Sequence, residues 1–279
     1  MPFSYKTPIK LTMLLLTLLI VNVSFAQELT PPQIDQRIYQ IIENTSADRI
    51  EADIRTLANF GTRNTFSDTV SNTRGIGAAR RWIKAEFEKI SSECGNCLEV
   101  FYQKDFVEKT EGSRVPHSTW IVNVVAVLRG TDYPDSYVMM SGDIDSRASN
   151  TMDFEVDAPG ANDNASGMAG ALEAARVMTK FRYKHSVAFV GLSGEEQGLF
   201  GGKGLAKFAQ DNNWTMIGIL NNDMIGNIEG VDGVIDNRTF RIFSEPTPAN
   251  ETDRQRGARR FSGGEVDGIS RQLARYIHK

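Results

Sequence analysis

Acidic residues recur at four places in the sequence where a predicted strand ends or a predicted helix begins. They are Asp143, Asp145, Asp163, Glu195, Glu196 and Asp223. Ligands of open α/β sheets collect at the carboxyl ends of the strands. We therefore expect these side chains, although far apart in sequence, to meet in one crevice.

Carboxylates packed into one crevice repel each other unless some are protonated or cations lie among them. Two Zn²⁺ ions would roughly balance four carboxylate ligands, which bind zinc at about 2.0–2.2 Å. Two metal ions about 3.5–4 Å apart can polarise a carbonyl group and activate a water together. A neighbouring carboxylate that does not bind metal can then accept the proton of that water. The pattern therefore indicates metal-assisted hydrolysis.

Each acidic segment also has an ordinary structural interpretation. Asp163 can be a helix N-cap, 195–196 an exposed acidic turn, 143–145 a solubilising loop, and Asp223 part of a turn. For any one segment alone the structural interpretation is the commoner one. The order of the four segments and their flanking residues favour the functional interpretation.

The intervening residues predict the elements that would hold these acids. Apolar residues recur at helical spacing or in short buried runs, and helices alternate with strands after residue 98. This pattern predicts an α/β three-layer sandwich with a central sheet flanked by helices. The predicted helices span 31–45, 47–60, 75–90, 162–179, 199–210 and 269–277. The predicted strands span 98–107, 120–128, 137–141, 186–192, 217–222 and 239–243, and 245–267 is predicted to be irregular.

Four motifs in this order resemble the di-zinc aminopeptidase family, which includes bacterial leucyl aminopeptidases and aminopeptidase Y type metallopeptidases. They are Gly-Asp-Ile-Asp-Ser at 142–146, Ala-Pro-Gly-Ala-Asn-Asp-Asn-Ala-Ser-Gly at 158–167, Gly-Glu-Glu-Gln-Gly-Leu-Phe-Gly at 194–201, and Asn-Asp-Met-Ile-Gly at 222–226. The two middle motifs are the most specific. The resemblance is strong over 120–226 and weak in the flanks.

The resemblance implies a role for each acid. Asp163 would bridge two zinc ions, with Glu196 on one ion and Asp223 on the other. Glu195 would be the general base that deprotonates the attacking water, and Asp145 would support the first ligand. The resemblance also implies a mostly parallel central sheet and a strained or cis peptide bond just after Asp163.

The sequence departs from the family pattern at the first metal ligand. The family motif is Gly-His-x-Asp-Ser, and this chain has Asp143 in place of the histidine. Aspartate can also bind zinc, so we expect Asp143 to keep the ligand role, in a more anionic site that could prefer another divalent metal. Asp145 then has no imidazole N–H from which to accept a hydrogen bond, so the sequence leaves its hydrogen-bond partner open.

The second departure concerns the last ligand, which in the family is a histidine in a C-terminal loop. The chain has three histidines, His117, His185 and His278, and none is well placed for this role. We therefore expect a C-terminal truncation that removes part of one metal site and of the substrate pocket. Whether such a fragment is active stays open.

The first 26 residues have the pattern of a secretory signal peptide. Lys6 and Lys10 form a positive region, 11–23 is apolar, and Ser24-Phe25-Ala26 offers small residues for cleavage. The apolar run is short for a membrane span, although an uncleaved anchor is the alternative. We predict an exported protein, periplasmic or extracellular. Residues 27–279 would form the zinc-peptidase domain, with a helical part at about 31–92 and an incomplete catalytic core at about 98–279.

Composition and cysteine usage agree with export. The formal net charge is −4, and the Arg-containing segment 254–260 is interpreted as solvated surface, so we expect no nucleic-acid partner and no membrane contact after cleavage. Cys94 and Cys97 are the two cysteines, and in an exported chain such a pair most often forms a disulfide. A redox role is the alternative.

The leading functional hypothesis is an aminopeptidase whose partner is a peptide substrate. Carboxypeptidase activity can use a similar core, but the short interval between Glu196 and Asp223 leaves no room for the lid domain that many such enzymes insert there. Glutaminyl-cyclase-like activity would use the same fold with one zinc ion. A catalytically impaired module that binds peptides is the non-enzymatic alternative. Side-chain specificity and oligomeric state stay open.

Overall fold

A computed structural model describes residues 35–245, 247, 250–262 and 268–278. The predicted signal peptide and the first residues of the predicted helix 31–45 lie outside this range. Contacts divide the chain into two units, 1–42 and 43–279. Helix α1 (Gln36–Asn44) begins in the first unit. Among the described residues, no helix is both long and apolar enough to span a bilayer.

The second unit contains a five-stranded sheet. Its strands are β1 (Leu98–Val107), β2 (Thr119–Leu128), β3 (Tyr133–Asp143), β4 (His185–Leu192) and β5 (Thr215–Asn222). They lie in the order β1-β2-β4-β3-β5. β2 is antiparallel to both β1 and β4, whereas β3 is parallel to both β4 and β5. All strands except β2 therefore run in the same direction, and their carboxyl ends share one edge.

Helices cover both faces of this sheet. They are α2 (Ala47–Ala58), α3 (Gly75–Glu93), α4 (Gly167–Met178) and α5 (Phe200–Asp211). Two further helices, α6 (Asp253–Phe261) and α7 (Ile269–His278), follow near the end of the chain and have no buried residues. Apolar residues of α2, α3 and α4 share one core with the sheet, and α5 contributes to a second core. The α/β class with a sheet between helices is confirmed.

Strand β2 shows how sequence alternation builds the two cores. Val124 and Ala126 belong to the core under α3 and α4, whereas Val125 and Val127 belong to the core under α5. Successive side chains of a strand point to opposite faces, so a strand buried on both sides reads as a continuous apolar run. Burial on both faces fixes the position of the central strands, and this in turn fixes the position of their carboxyl ends.

Three local predictions are wrong. The predicted helix 162–179 begins as a regular helix only at Gly167, because Asp163 and Asn164 leave helical backbone angles within the turn Ala161–Ser166. Residues 239–243 form no strand, since Thr239 donates its N–H to the Asp236 carboxylate in a local turn. Helix α6 interrupts the segment predicted to be irregular, and a capping box of Thr252 and Gln255 begins it.

The cysteine prediction is confirmed. Cys94 and Cys97 form a disulfide between the end of α3 and the start of β1. The pair thus closes the short connection between a helix and a strand.

Candidate metal centre

The strand ladders bring the predicted acids to one edge of the sheet. Gly142 of β3 pairs with Asn222 of β5, so Asp143 and Asp223 leave the sheet side by side. Asp143 also pairs with Leu192 of β4, just before the turn that carries Glu195 and Glu196. This edge is where the sequence predicted the acids to meet.

The turn Ala161–Ser166 places Asp163 over the same edge. The Asp163–Asn164 peptide bond is cis, as the resemblance implies. The Asn162 side chain accepts the Gly226 N–H at 3.0 Å, and the Ser166 hydroxyl accepts the Ile225 N–H at 3.1 Å. These two bonds tie the Asp163 turn to the loop that follows Asp223.

Asn164 joins three of the acidic segments, a role that was not predicted from the sequence. Its Nδ2 donates to Asp143 Oδ2 at 2.9 Å and to the Asn222 carbonyl at 2.8 Å. Its Oδ1 accepts the N–H groups of Gly167 at 3.1 Å and Met224 at 3.2 Å. One feature of the sequence could have indicated this role: Asn164 directly follows Asp163, in a motif with several side chains that can form hydrogen bonds.

Asp145 holds the turn that carries the two glutamates. Its carboxylate is 1% exposed and accepts the backbone N–H of Glu195 at 3.3 Å and that of Glu196 at 3.2 Å. The sequence left the partner of Asp145 open, and the structure supplies two main-chain donors. Asp145 therefore fixes the main chain of Glu195 and Glu196 in position.

The helix after Asp163 lies very close to β5. A Cβ atom added at Gly167 would lie 2.1 Å from the Asn222 carbonyl oxygen. Only glycine fits at this distance. The N-terminus of α4 thus approaches the ends of β3 and β5.

Burial and mutual repulsion raise the pKa values of the assembled carboxyl groups. Burial, reinforced by the charge of Asp145, raises the pKa of Asp143 to about 7. Burial also raises the pKa of Asp145 to about 6, against the effect of its two main-chain donors. The pKa values of Glu195, Glu196 and Asp223 are raised as well, by burial first and then by neighbouring acids, including Asp163 in each case.

A cavity of about 260 Å³ opens beside these acids. Asp143, Glu195 and Asp223 contribute to its lining, together with Leu192, Ser193, Leu199, Gly202 and Asn221. The cavity therefore offers space for a small group next to three of the acids.

Arginines approach the centre from two sides, and none of them was predicted from the sequence. Arg147 Nε lies 2.6 Å from Glu196 Oε2, and Arg114 donates to the Glu196 carbonyl at 3.2 Å. Arg63 is buried behind the acids; burial lowers its pKa to about 10, against the charges of Asp145 and Asp163. Arg63 is thus protonated at neutral pH.

The donor set fits a divalent cation by its chemistry, because carboxylate oxygens that repel one another are stabilised by a shared positive charge. Among the residues that the structure describes, however, no three His, Cys, Asp or Glu side chains are grouped closely enough to hold an ion. Instead Asp143 contacts Asn164, and Glu196 contacts Arg147. The assignment of individual metal ligands stays a prediction.

Two of the histidines are engaged in aromatic packing. His117 packs edge-on against Phe66 and Phe154, with ring centroids 5.3 and 5.4 Å apart. His185 stacks on Tyr133 at the start of β4, at the opposite end of that strand from Glu195.

Comparison with known sequences places this centre within a known kind of domain. Residues 123–245 match the model of Peptidase family M28. A probable zinc metalloprotease of Pyrenophora teres f. teres is 37% identical over 245 residues, which cover 88% of this chain and 53% of that protein. The chain thus spans about half the length of this curated relative.

Solved structures with this fold include two exopeptidase-type proteins. A Zn-dependent exopeptidase from Parabacteroides distasonis superposes with a TM-score of 0.52 at 18% identity, covering 66% of this chain and 63% of that one. The LapA aminopeptidase of Legionella pneumophila superposes with a TM-score of 0.51 at 20% identity, covering 66% and 43%. These similarities concern the fold.

Proposed function

The chain carries a domain of peptidase family M28, and from this premise we propose that it is an exported zinc-dependent exopeptidase that acts as an aminopeptidase. The observation that carries the proposal is the convergence of six family-motif acids at one sheet edge, where burial and their neighbours raise the pKa values of five of them. Since the chain spans about half of its relative, the activity of the whole protein is part of the proposal.

Asp143, Asp163, Glu196 and Asp223 would hold the metal, with two Zn²⁺ ions as the proposed complement. Zinc, when bound, supplies a Lewis acid that polarises the scissile carbonyl group. Asp143 makes the ligand set more anionic than one with histidine, so harder divalent cations are expected to compete better here. The neighbouring carboxylates also provide a favourable environment for the ammonium group of a peptide N-terminus.

Glu195 is the proposed general base. Its side chain takes a proton from the attacking water as the oxygen bonds to the peptide carbonyl carbon. It then passes that proton to the amine nitrogen as the C–N bond breaks. Asp145 fixes the Glu195 backbone through the 3.3 Å hydrogen bond, so the base is held on a rigid turn.

The Glu195→Gln variant tests this mechanism, because glutamine keeps the size of the side chain but accepts no proton. We expect hydrolysis of aminoacyl-nitroanilides to fall by about 10²–10⁴-fold while zinc stays bound. Kinetics with and without chelator, together with metal analysis, provide the measurement. Glu93→Gln, at an exposed position at the end of α3, is the control and should keep full activity. Undiminished turnover in Glu195→Gln would contradict the assignment.

Export and metal number are tested separately. We expect the N-terminus of the exported protein to begin near residue 27, as determined by mass spectrometry of protein recovered outside the cytoplasm. We expect two zinc ions per chain by elemental analysis. One zinc ion together with cyclisation of N-terminal glutamine would favour the alternative activity over the aminopeptidase.

A further inference from the structure

Arg63 is a buried charged residue, and among the described residues its guanidinium group binds main-chain carbonyls only. The residue is 1% exposed. Nε donates to the Ile144 carbonyl at 2.8 Å, and Nη2 donates to Gly160 at 2.9 Å. Nη1 donates to Leu57 at 3.0 Å and to Pro159 at 2.5 Å. One side chain therefore joins the end of α2 to two loops of the acidic centre.

The joined loops are the ones that carry the proposed ligands. Ile144 lies between Asp143 and Asp145, and Gly160 stands three residues before Asp163. The Arg63 main chain strengthens the same junction. Its N–H donates to Ser146 Oγ at 3.1 Å, and this hydroxyl donates to the Ala158 carbonyl at 2.6 Å. The separation of the two acidic loops is thus set through residue 63.

The geometry at Gly160 leaves little freedom in this junction. Gly160 has a φ of +48°, and a Cβ atom there would lie 2.3 Å from the Asp163 carbonyl oxygen and 3.1 Å from Arg63 Nη2. Glycine adopts this conformation at low cost, whereas other residues are strained. The chain therefore turns into Asp163 directly against the guanidinium group.

The charge of Arg63 interacts with the acids electrostatically, without direct contact. Among the described residues, Arg63 forms no ion pair, and Asp145 and Asp163 are the acids whose charges act on it. Arg176 provides a contrast, since it binds Asp53 and Glu86 directly. A fixed cation near Asp145 and Asp163 offsets part of the repulsion that these two acids exert on the other acids of the centre.

We infer that Arg63 is a positioning residue of the proposed metal centre. Its planar fork of donors fixes the spacing between the 143–145 loop and the Asp163 turn, and its charge stabilises the carboxylates gathered there. Lysine would keep the charge, but its single nitrogen cannot reach four carbonyls in this fork geometry. The inference rests on the proposed function, because the positioned groups are the proposed ligands.

Zinc binding by the purified protein tests this inference without an activity readout. We expect Arg63→Lys and Arg63→Met to weaken zinc affinity, measured by isothermal titration calorimetry, by about 10–100-fold, the usual range for residues that orient metal ligands. Arg176→Met is the matched control, since it also removes an arginine that is mostly buried and bonded within the protein. It lies nine residues beyond Gly167 on α4, roughly 13 Å along the helix axis. It should lower stability but keep zinc affinity within about twofold.

Activity measurements separate positioning from folding. We expect the Arg63→Lys variant to lose kcat at saturating zinc, with a smaller change in KM, because ligand spacing affects the reacting geometry more than peptide binding. Zinc affinity and kcat equal to those of the unmodified protein in Arg63→Lys would overturn the inference. So would failure of Arg63→Lys to fold, which would make the role purely structural. Absence of zinc binding in the unmodified protein would instead contradict the proposed function, and the inference with it.

Discussion

At the scale of single residues, the centre is organised by neutral and main-chain donors around buried acids. Asp143 is 4% exposed, and the described partner of its carboxylate is the amide of Asn164. Asp145 binds two backbone N–H groups. Hydrogen bonds to the charged form of an acid lower its pKa, and here they oppose the larger effect of burial. The arrangement keeps carboxylates in place without cancelling their charge.

Asn164→Asp tests this arrangement with a change of one atom. The new carboxylate would still accept the Gly167 and Met224 N–H groups, but it could no longer donate to Asp143 and to the Asn222 carbonyl. Leaving buried groups without partners costs about 1–3 kcal/mol each, so we expect a loss of about 2–4 kcal/mol in the free energy of unfolding. Urea denaturation without added metal provides the measurement.

Asn162→Asp is the matched control for Asn164→Asp. The Asn162 side chain accepts the Gly226 N–H, and aspartate can accept the same bond. We expect a loss of less than about 1 kcal/mol. Similar losses in both variants would show that added negative charge, rather than the lost donor, decides the stability of this turn.

The sequence predicted the acids but not the residues that orient them. Asp163 and Glu195 stand in specific motifs, and the meeting of their segments follows from strand direction alone. Arg63 lies about a hundred positions before Asp163, and its contacts are to carbonyl groups, which leave no pattern in a sequence. Long-range contacts of a side chain with main-chain atoms can be seen only in the folded structure.

At the scale of elements, the spacing of apolar residues predicted the strands well. It did not predict the segments that are organised by hydrogen bonds of polar side chains. Strand β1 has its predicted bounds, Leu98–Val107. The apolar residues of 239–243 suggested a strand, but Phe240 and Phe243 are exposed and Asp236 organises the segment as a turn. Side-chain hydrogen bonds of this kind compete with regular structure.

The contact between α4 and β5 makes a prediction at this scale. In Gly167→Ala the new methyl group would meet the Asn222 carbonyl, so α4 or β5 must shift. Overpacking of this kind costs about 1–3 kcal/mol, and we expect a loss of that size in the free energy of unfolding measured in urea.

Gly202→Ala in α5 is the control for Gly167→Ala. A Cβ atom at Gly202 meets nothing within 4 Å. Alanine favours a helix over glycine by about 1 kcal/mol, so this variant should be as stable as the unmodified protein or more so. Equal stability of Gly167→Ala and Gly202→Ala would mean that α4 can move away from β5 without cost.

At the scale of the whole molecule, two clusters of charged residues differ in how their negative charge is compensated. Away from the acidic edge, Arg176 binds Asp53, Glu86 and Glu173 and joins α2, α3 and α4 by ion pairs. At the acidic edge, carboxylates outnumber the nearby arginines, and the pKa values of five acids are raised. The acids of the first cluster are paired within the protein, whereas the second keeps an excess of negative charge that, in the proposed function, a bound cation would balance.

Metal-dependent stability follows from this difference. A cation that binds the folded but not the unfolded chain stabilises it by about 2.7 kcal/mol when its concentration is 100 times its Kd. We expect zinc to raise the unfolding midpoint of the chelator-treated protein, measured by thermal denaturation at increasing zinc concentration. In Glu196→Gln and Asp163→Asn the rise should be lost or greatly reduced, because a proposed ligand is missing. Asp211→Asn, which removes an exposed acid paired with Lys207, should keep the full rise. An equal zinc response in all these variants would place the cation elsewhere and would contradict the acidic edge as the metal centre.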